Sequence, residues 1–169
     1  MKKSIKFILA LTVLVLSFTG CGSSSGAPSK WYEGTINYYK EGFENNWANE
    51  SSDFYVVDEM KQPGKKFGYL LIDLDGDGTE ELLIGINDGA EETKFTDLII
   101  WHKDFGAFRS FCASEDYYIY ICDNNIVRMD MWYGSQTKSE YMEYDSSNNS
   151  FPVVDGGGKP GKFELTPLN

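Results

Sequence analysis

Apolar positions along the chain fall into three regimes. Residues 7–18 (FILALTVLVLSF) are almost wholly apolar, a run of 12 residues that is too short to span a membrane as a helix, which needs about 20. Tyr32, Ile36, Tyr39, Phe43 and Trp47 then follow at spacings of 4, 3, 4 and 4, one stripe of a 3.6-residue period. The stripe predicts an amphipathic helix over 31–47, which Gly34 and Gly42 weaken. Residues 45–66 are polar apart from the short run 54–57, and Pro63-Gly64 marks a turn. From Phe67 onward the chain is built of short runs rich in Ile, Val, Tyr and Phe, separated by Gly, Asn and Asp. Eight strands are predicted: 67–73, 80–86, 96–103, 107–113, 117–122, 126–132, 138–144 and 151–154. Residues 103–106, 123–125 and 133–135 read as hairpin turns. Connections this short force antiparallel neighbours, because parallel pairs need a long crossover. The expected fold class is α+β, an N-terminal amphipathic helix packed on an antiparallel β-meander, with residues 156–161 as a loose loop.

The first run is flanked in a telling way. Lys2, Lys3 and Lys6 precede it, and Phe18-Thr19-Gly20-Cys21 follows it. A basic stretch, a short apolar core and small residues before a boundary make a signal peptide. The boundary resembles the lipobox of bacterial lipoproteins, although Phe18 stands where that family favours leucine. The resemblance implies cleavage before Cys21 and lipid on its thiol, which would hold the protein on the outer face of the cell membrane. The alternative is an ordinary secretory signal followed by a chance cysteine. Residues 22–29 (GSSSGAPS) favour the anchored reading, since a flexible Ser/Gly tether lets a domain reach away from a surface. The expected organisation is a leader at 1–20, a lipidated cysteine and tether at 21–30, and a single domain at 31–169.

Charge narrows the partners. The 169-residue chain carries 15 basic and 26 acidic residues, a net −11. Three of the basic residues lie in the leader, which leaves 12 against 26 acids, or −14, on the exported part. Such a surface repels nucleic acid and anionic head groups and favours cations. Beyond Cys21 the cysteines are Cys112 and Cys122, both in strand-like runs. Export permits a disulfide between them, and two small buried thiols are the alternative.

One stretch carries chemistry. In residues 73–82 (DLDGDGTEEL), Asp73, Asp75 and Asp77 alternate, Gly78 permits the positive φ that curls a loop, Thr79 offers a backbone carbonyl and Glu81 a fourth carboxylate. Hard oxygen ligands in this number suit Ca²⁺. The loop departs from an EF-hand, because Ile84 replaces the twelfth-position Glu, Glu80 stands at the eighth position, and the flanks 67–72 and 82–86 look like strands. It resembles instead the strand–loop–strand calcium site of FG-GAP and integrin-type propeller repeats, which implies a partly propeller-blade-like unit. Residues 69–82 and the ending 163–168 are also similar to small, uncharacterised clostridial-type lipoproteins of Gram-positive anaerobes that hold a single such motif. One repeat does not make a propeller, since closure takes at least four blades. An acidic hairpin turn without metal is the competing reading.

The expected function is a membrane-anchored, non-enzymatic module with a structural calcium loop that binds a partner protein or simply decorates the envelope. The alternative is a glycan-binding module, for which Trp101, Tyr117, Tyr118, Tyr120, Trp132 and Tyr133 supply the aromatic faces. His102 is the single histidine, and no phosphate loop, dinucleotide fingerprint or nucleophile motif accompanies it. Asp88, Glu91 and Glu92 read as a solvated loop in preference to a second cation site.

Overall fold

The computed structural model describes residues 30–48, 55–114 and 117–169. The leader, Cys21 and the tether up to residue 29 lie outside them. Among the described residues no helix is long and apolar enough to cross a membrane.

The architecture is mostly antiparallel β-sheet with one helix. Helix α1 (Glu33–Glu44) is followed by a 3-10 turn (Asp58–Lys61). Then come β1 (Phe67–Ile72), β2 (Glu81–Ile86), β3 (Phe95–His102), β4 (Gly106–Cys112), β5 (Tyr117–Ile121), β6 (Val127–Tyr133), β7 (Gln136–Met142) and β8 (Thr166–Pro167).

The sheet is more than a meander. Its order is β7-β6-β5-β3-β2-β1-β8, with β4 also on β3. One edge of β3 serves two strands: Asp97–His102 pairs with β4, while Phe95 pairs with Ile119 of β5. Register shifts between Leu98 and Ile99 and between Ile84 and Gly85 accompany this fork, and an inserted residue bends and twists a strand. The expected strand over 151–154 is absent, and Val153 makes only an isolated bridge to Met142. Residues 156–161 are not a loose loop. The Asp123 amide donates to Lys159 O, the Gly161 amide to Ile121 O and the Thr93 amide to Gly161 O. The C-terminal segment adds β8 to the edge of β1 and buries Leu165 and Leu168.

Both faces of the central strands are covered, so β2 is buried at every position. Alternate side chains still separate into two apolar layers. Leu82, Ile84 and Ile86 join Phe67, Tyr69, Ile99 and the helix residues Ile36 and Tyr39. Leu83 joins Leu70, Leu98, Ile100, Ile119, Ile121 and Val127 on the opposite face. Fully burying side chains of this size contributes about 1.5–3 kcal/mol each, the main source of the fold's stability.

The helix ends earlier than the aromatic stripe. Asn46 and Trp47 have φ of +52° and +58°, and the Trp47 amide returns to Gly42 O at 2.8 Å. This reversal folds the Trp47 ring back over the last turn of α1, where its Nε1 donates to Met60 O at 3.2 Å. Gly42 has a steric role here, since a Cβ at that position would lie 2.4 Å from the ring. Helix propensity alone favours Gly42→Ala by about 0.8–1 kcal/mol. Overpacking costs about 1–3 kcal/mol and decides the sign. Chemical denaturation is expected to find Gly42→Ala less stable than the wild type, and an increase in stability would contradict this packing.

Cys112 and Cys122 are free thiols, so the disulfide alternative does not hold. Cys122 is buried, whereas Cys112 is partly buried beside Arg109, whose Nη1 lies 3.2 Å from Sγ. Burial is the main cause that pushes the Cys112 thiol up to about 11, which keeps it protonated and unreactive at neutral pH.

Candidate metal centre

The acidic loop joins β1 to β2, two strands paired along their full six-residue lengths. Strand pairing up to Ile72↔Glu81 leaves residues 73–80 to cross between the strands. Gly76 and Gly78 both take positive φ, +78° and +89°. The sequence singled out only Gly78, yet two left-handed residues are needed to curl the chain this tightly.

The loop's own amides organise the carboxylates. Asp73 accepts from the Gly76 amide through Oδ1 (2.8 Å) and from the Gly78 amide through Oδ2 (2.9 Å). Asp75 Oδ1 accepts from the Asp77 amide (3.2 Å), and Asp77 Oδ1 from the Thr79 amide (2.7 Å). The last bond is the largest cause that holds the Asp77 carboxyl below its usual range. Short polar side chains bonding to nearby amides are a common device for fixing turns.

The structure thereby brings together Asp73, Asp75 and Asp77, with one oxygen from each lying within 4.8 Å of the others. Ligand oxygens sit 2.3–2.6 Å from Ca²⁺, so those on opposite sides of one ion are about 5 Å apart. The trio therefore fits the donor set of a hard divalent cation. Glu81 stands outside it. Its carboxylate is turned inward, 2% exposed, with Oε2 accepting from the Leu74 amide at 2.9 Å. Burial pushes this carboxyl up to about 8, against the Leu74 bond and with help from Asp75, Asp77 and Asp73. Thr79 contributes its amide to Asp77 and lines the cleft beside the loop.

Two distant segments grip the loop, and neither is visible in the local pattern of residues 73–82. The Ser146 amide donates to Asp75 Oδ2 at 2.8 Å, and Asn125 Nδ2 donates to Asp73 O at 3.0 Å. Ser146 belongs to a turn held by Asp145, whose carboxylate accepts from the Ser147 amide and hydroxyl and from Asn148 Nδ2. The run Asp145–Asn149 lies between two predicted strands, and nothing in it signals a partner some 70 residues away. Between the loop, this turn and the β3–β4 hairpin opens a cleft of about 380 Å³.

The chain matches no family model, no curated protein and no solved structure.

The remaining candidates are dispersed. Tyr118 and Tyr120 are buried in the sheet, and Trp132 packs edge-on against Tyr118. Tyr133 is exposed at the far hairpin, and of the six aromatics only Trp101 lines the cleft. Trp101 stacks on Trp31, centroids 4.6 Å apart, and His102 stacks on Phe105 while its Nδ1 accepts from the Asp104 amide. Asp88 accepts from the Ala90 amide, the bond of a local turn.

Sequence reasoning also missed a buried polar cluster under α1. Asp97 is fully buried, its Oδ1 lies 2.8 Å from Arg109 Nε, and its Oδ2 accepts from the Thr96 hydroxyl at 3.0 Å. Arg109 also reaches Tyr55 O at 2.7 Å and the Tyr39 hydroxyl at 3.3 Å. Asp97 sits within an apolar run of β3, and that break in the pattern is the signal that could have found the cluster.

Proposed function

We propose that this protein is an extracytoplasmic lipoprotein whose acidic loop binds Ca²⁺ as a structural ion, and that it serves as a non-enzymatic binding module of the cell envelope. The observation that carries the reading is the convergence of Asp73, Asp75 and Asp77 on a loop gripped from outside by Ser146 and Asn125. Asp73, Asp75 and Asp77 are the primary ligands in this reading, with Thr79 O and Glu81 completing the shell. An ion there would tie the β1–β2 hairpin to the 145–149 turn. The β1–loop–β2 unit is then a single propeller-blade-like hairpin, with α1 as its covering layer.

Lipid on Cys21 supplies the membrane attachment. Each buried CH₂ contributes about 0.8 kcal/mol, and stable anchoring takes at least two acyl chains. Cys21→Ser is expected to release the protein from the membrane fraction or to leave the precursor uncut. Mass spectrometry finding an unmodified mature N-terminus at another position would contradict the anchor. For the binding role, a pull-down from envelope extract with and without calcium is the test. A partner retained only with calcium supports the module, and identical profiles in both conditions count against it.

A further inference from the structure

We propose that the cleft beside the acidic loop binds a neutral saccharide unit. The inference rests on the calcium reading in one respect: the ion would fix the wall that carries Asp77 and Glu81.

Three segments far apart in sequence build this cleft. The loop supplies Asp77 and Glu81, the β3–β4 hairpin supplies Trp101 and Lys103, and the 144–149 turn supplies Tyr144 and Ser147. Its volume of about 380 Å³ lies near the lower end of the range for small-molecule sites, roughly 300–1,000 Å³. That is suited to one or two sugar rings and too small for a folded partner's element. The cleft is anchored on rigid parts. Trp101 is the penultimate residue of β3 and is braced by its stack on Trp31, and the Tyr144 hydroxyl is tied to Asn149 Oδ1 at 3.1 Å.

The chemistry of the walls selects the ligand. The Asp77 carboxylate provides acceptors, Lys103 provides donors, and the Ser147 hydroxyl provides both. A sugar face needs this mixture around an aromatic surface, because each hydroxyl gives and takes a hydrogen bond. The other ligand classes fit less well. An anion meets Asp77 and a chain of net charge −11. An ammonium ligand meets the like charge of Lys103. A purely apolar ligand would leave the polar rim unpaired, at a cost.

Intrinsic tryptophan fluorescence and saturation-transfer NMR on the purified protein test this with methyl α-glucoside, methyl β-galactoside, N-acetylglucosamine and cellobiose, in calcium and in EDTA. Glucuronate and tetramethylammonium serve as the charged probes. At least one neutral sugar is expected to saturate the wild type in the millimolar range. Trp101→Ala is expected to weaken it about 10-fold, the size of one aromatic stacking contact, and Trp101→Phe to recover part of the loss. Calcium-dependent melting of Trp101→Ala, unchanged from the wild type, verifies that the variant is folded. A calcium-dependent melt with no saccharide binding overturns the cleft and leaves the metal reading standing. Saccharide binding that persists without any calcium response supports the cleft and overturns the metal reading. Equal binding by Trp101→Ala, or tighter binding of either charged probe than of any sugar, overturns the proposal.

Discussion

Arg109→Ala is expected to destabilise the protein by about 3–5 kcal/mol, the largest loss from any single change proposed for this fold. The reason is the carboxylate left behind. Asp97 is 0% exposed, and Arg109 Nε at 2.8 Å is its charge partner. Burial pushes the Asp97 carboxyl up to about 6 even with Arg109 lowering it, so desolvation already outweighs the pair. Without the guanidinium the carboxyl rises further and folds protonated or not at all. Raised folded-state affinity for a proton means stability that is present at low pH and lost as pH rises. The cost of Arg109→Ala should therefore be smaller at pH 5 than at pH 8. The double variant Asp97→Asn/Arg109→Met removes both charges and should recover much of the loss, because the expense lies in an uncompensated charge. Urea titrations of the three variants check this. A double variant as unstable as Arg109→Ala would shift the explanation to the Tyr55 and Tyr39 contacts of the guanidinium.

The second large effect is a pH dependence of the calcium-free protein. Glu81 is buried and its carboxyl is raised from 4.5 to about 8, chiefly by burial. The folded chain keeps a proton that the unfolded chain has released, so stability must fall as pH rises through this window. Over the whole window the loss is on the order of 5 kcal/mol. Asp97 adds a loss of the same sign at lower pH, with its carboxyl at about 6. The interval from about pH 6.5 to 8 therefore isolates Glu81, with an expected loss of about 2 kcal/mol. Glu81→Gln mimics the protonated acid and should flatten that interval in EDTA. Denaturation curves at pH 6.5 and 8 decide it, and a wild type whose stability is level or rising would contradict the inward placement of Glu81.

Much of the sheet was legible because the central strands are runs rich in Leu, Ile and aromatic residues bounded by turn formers. Strand β2 and the Asp73–Glu81 loop follow from such local signals. Partner order did not, since Phe95 and Asp97 pair with different strands at one edge of β3, and the expected strand over 96–103 left Phe95 out. Trp47 continues the helical period of Ile36, Tyr39 and Phe43 but lies beyond the helix, packed back on Gly42. A periodic spacing reports that a residue faces the core and leaves open which backbone conformation brings it there. At the loop, the three alternating aspartates were readable, as Asx-type bonds act over two to five residues. The grips of Ser146 and Asn125 join residues 71 and 52 positions apart and carry no local pattern.

The central claim is that residues 73–81 hold calcium, and thermal melting with calorimetry across millimolar Ca²⁺ tests it most directly. With no twelfth-position Glu, the dissociation constant is expected at roughly 10⁻⁴–10⁻³ M, as in extracellular modules. At about 10 times that concentration, linkage adds about 1.4 kcal/mol, a rise of roughly 3–6 °C in Tm for a domain of this size. Mg²⁺ should substitute poorly, because it prefers a smaller octahedral shell that retains water. Asp75→Ala should lose the calcium increment, and its calcium-free Tm should drop modestly with the Ser146 amide bond, worth about 0.5–1.5 kcal/mol. Binding heat and a calcium-dependent rise in the wild type, both absent in Asp75→Ala, are the predicted result; a wild type with neither would make residues 73–81 an acidic turn and contradict the account.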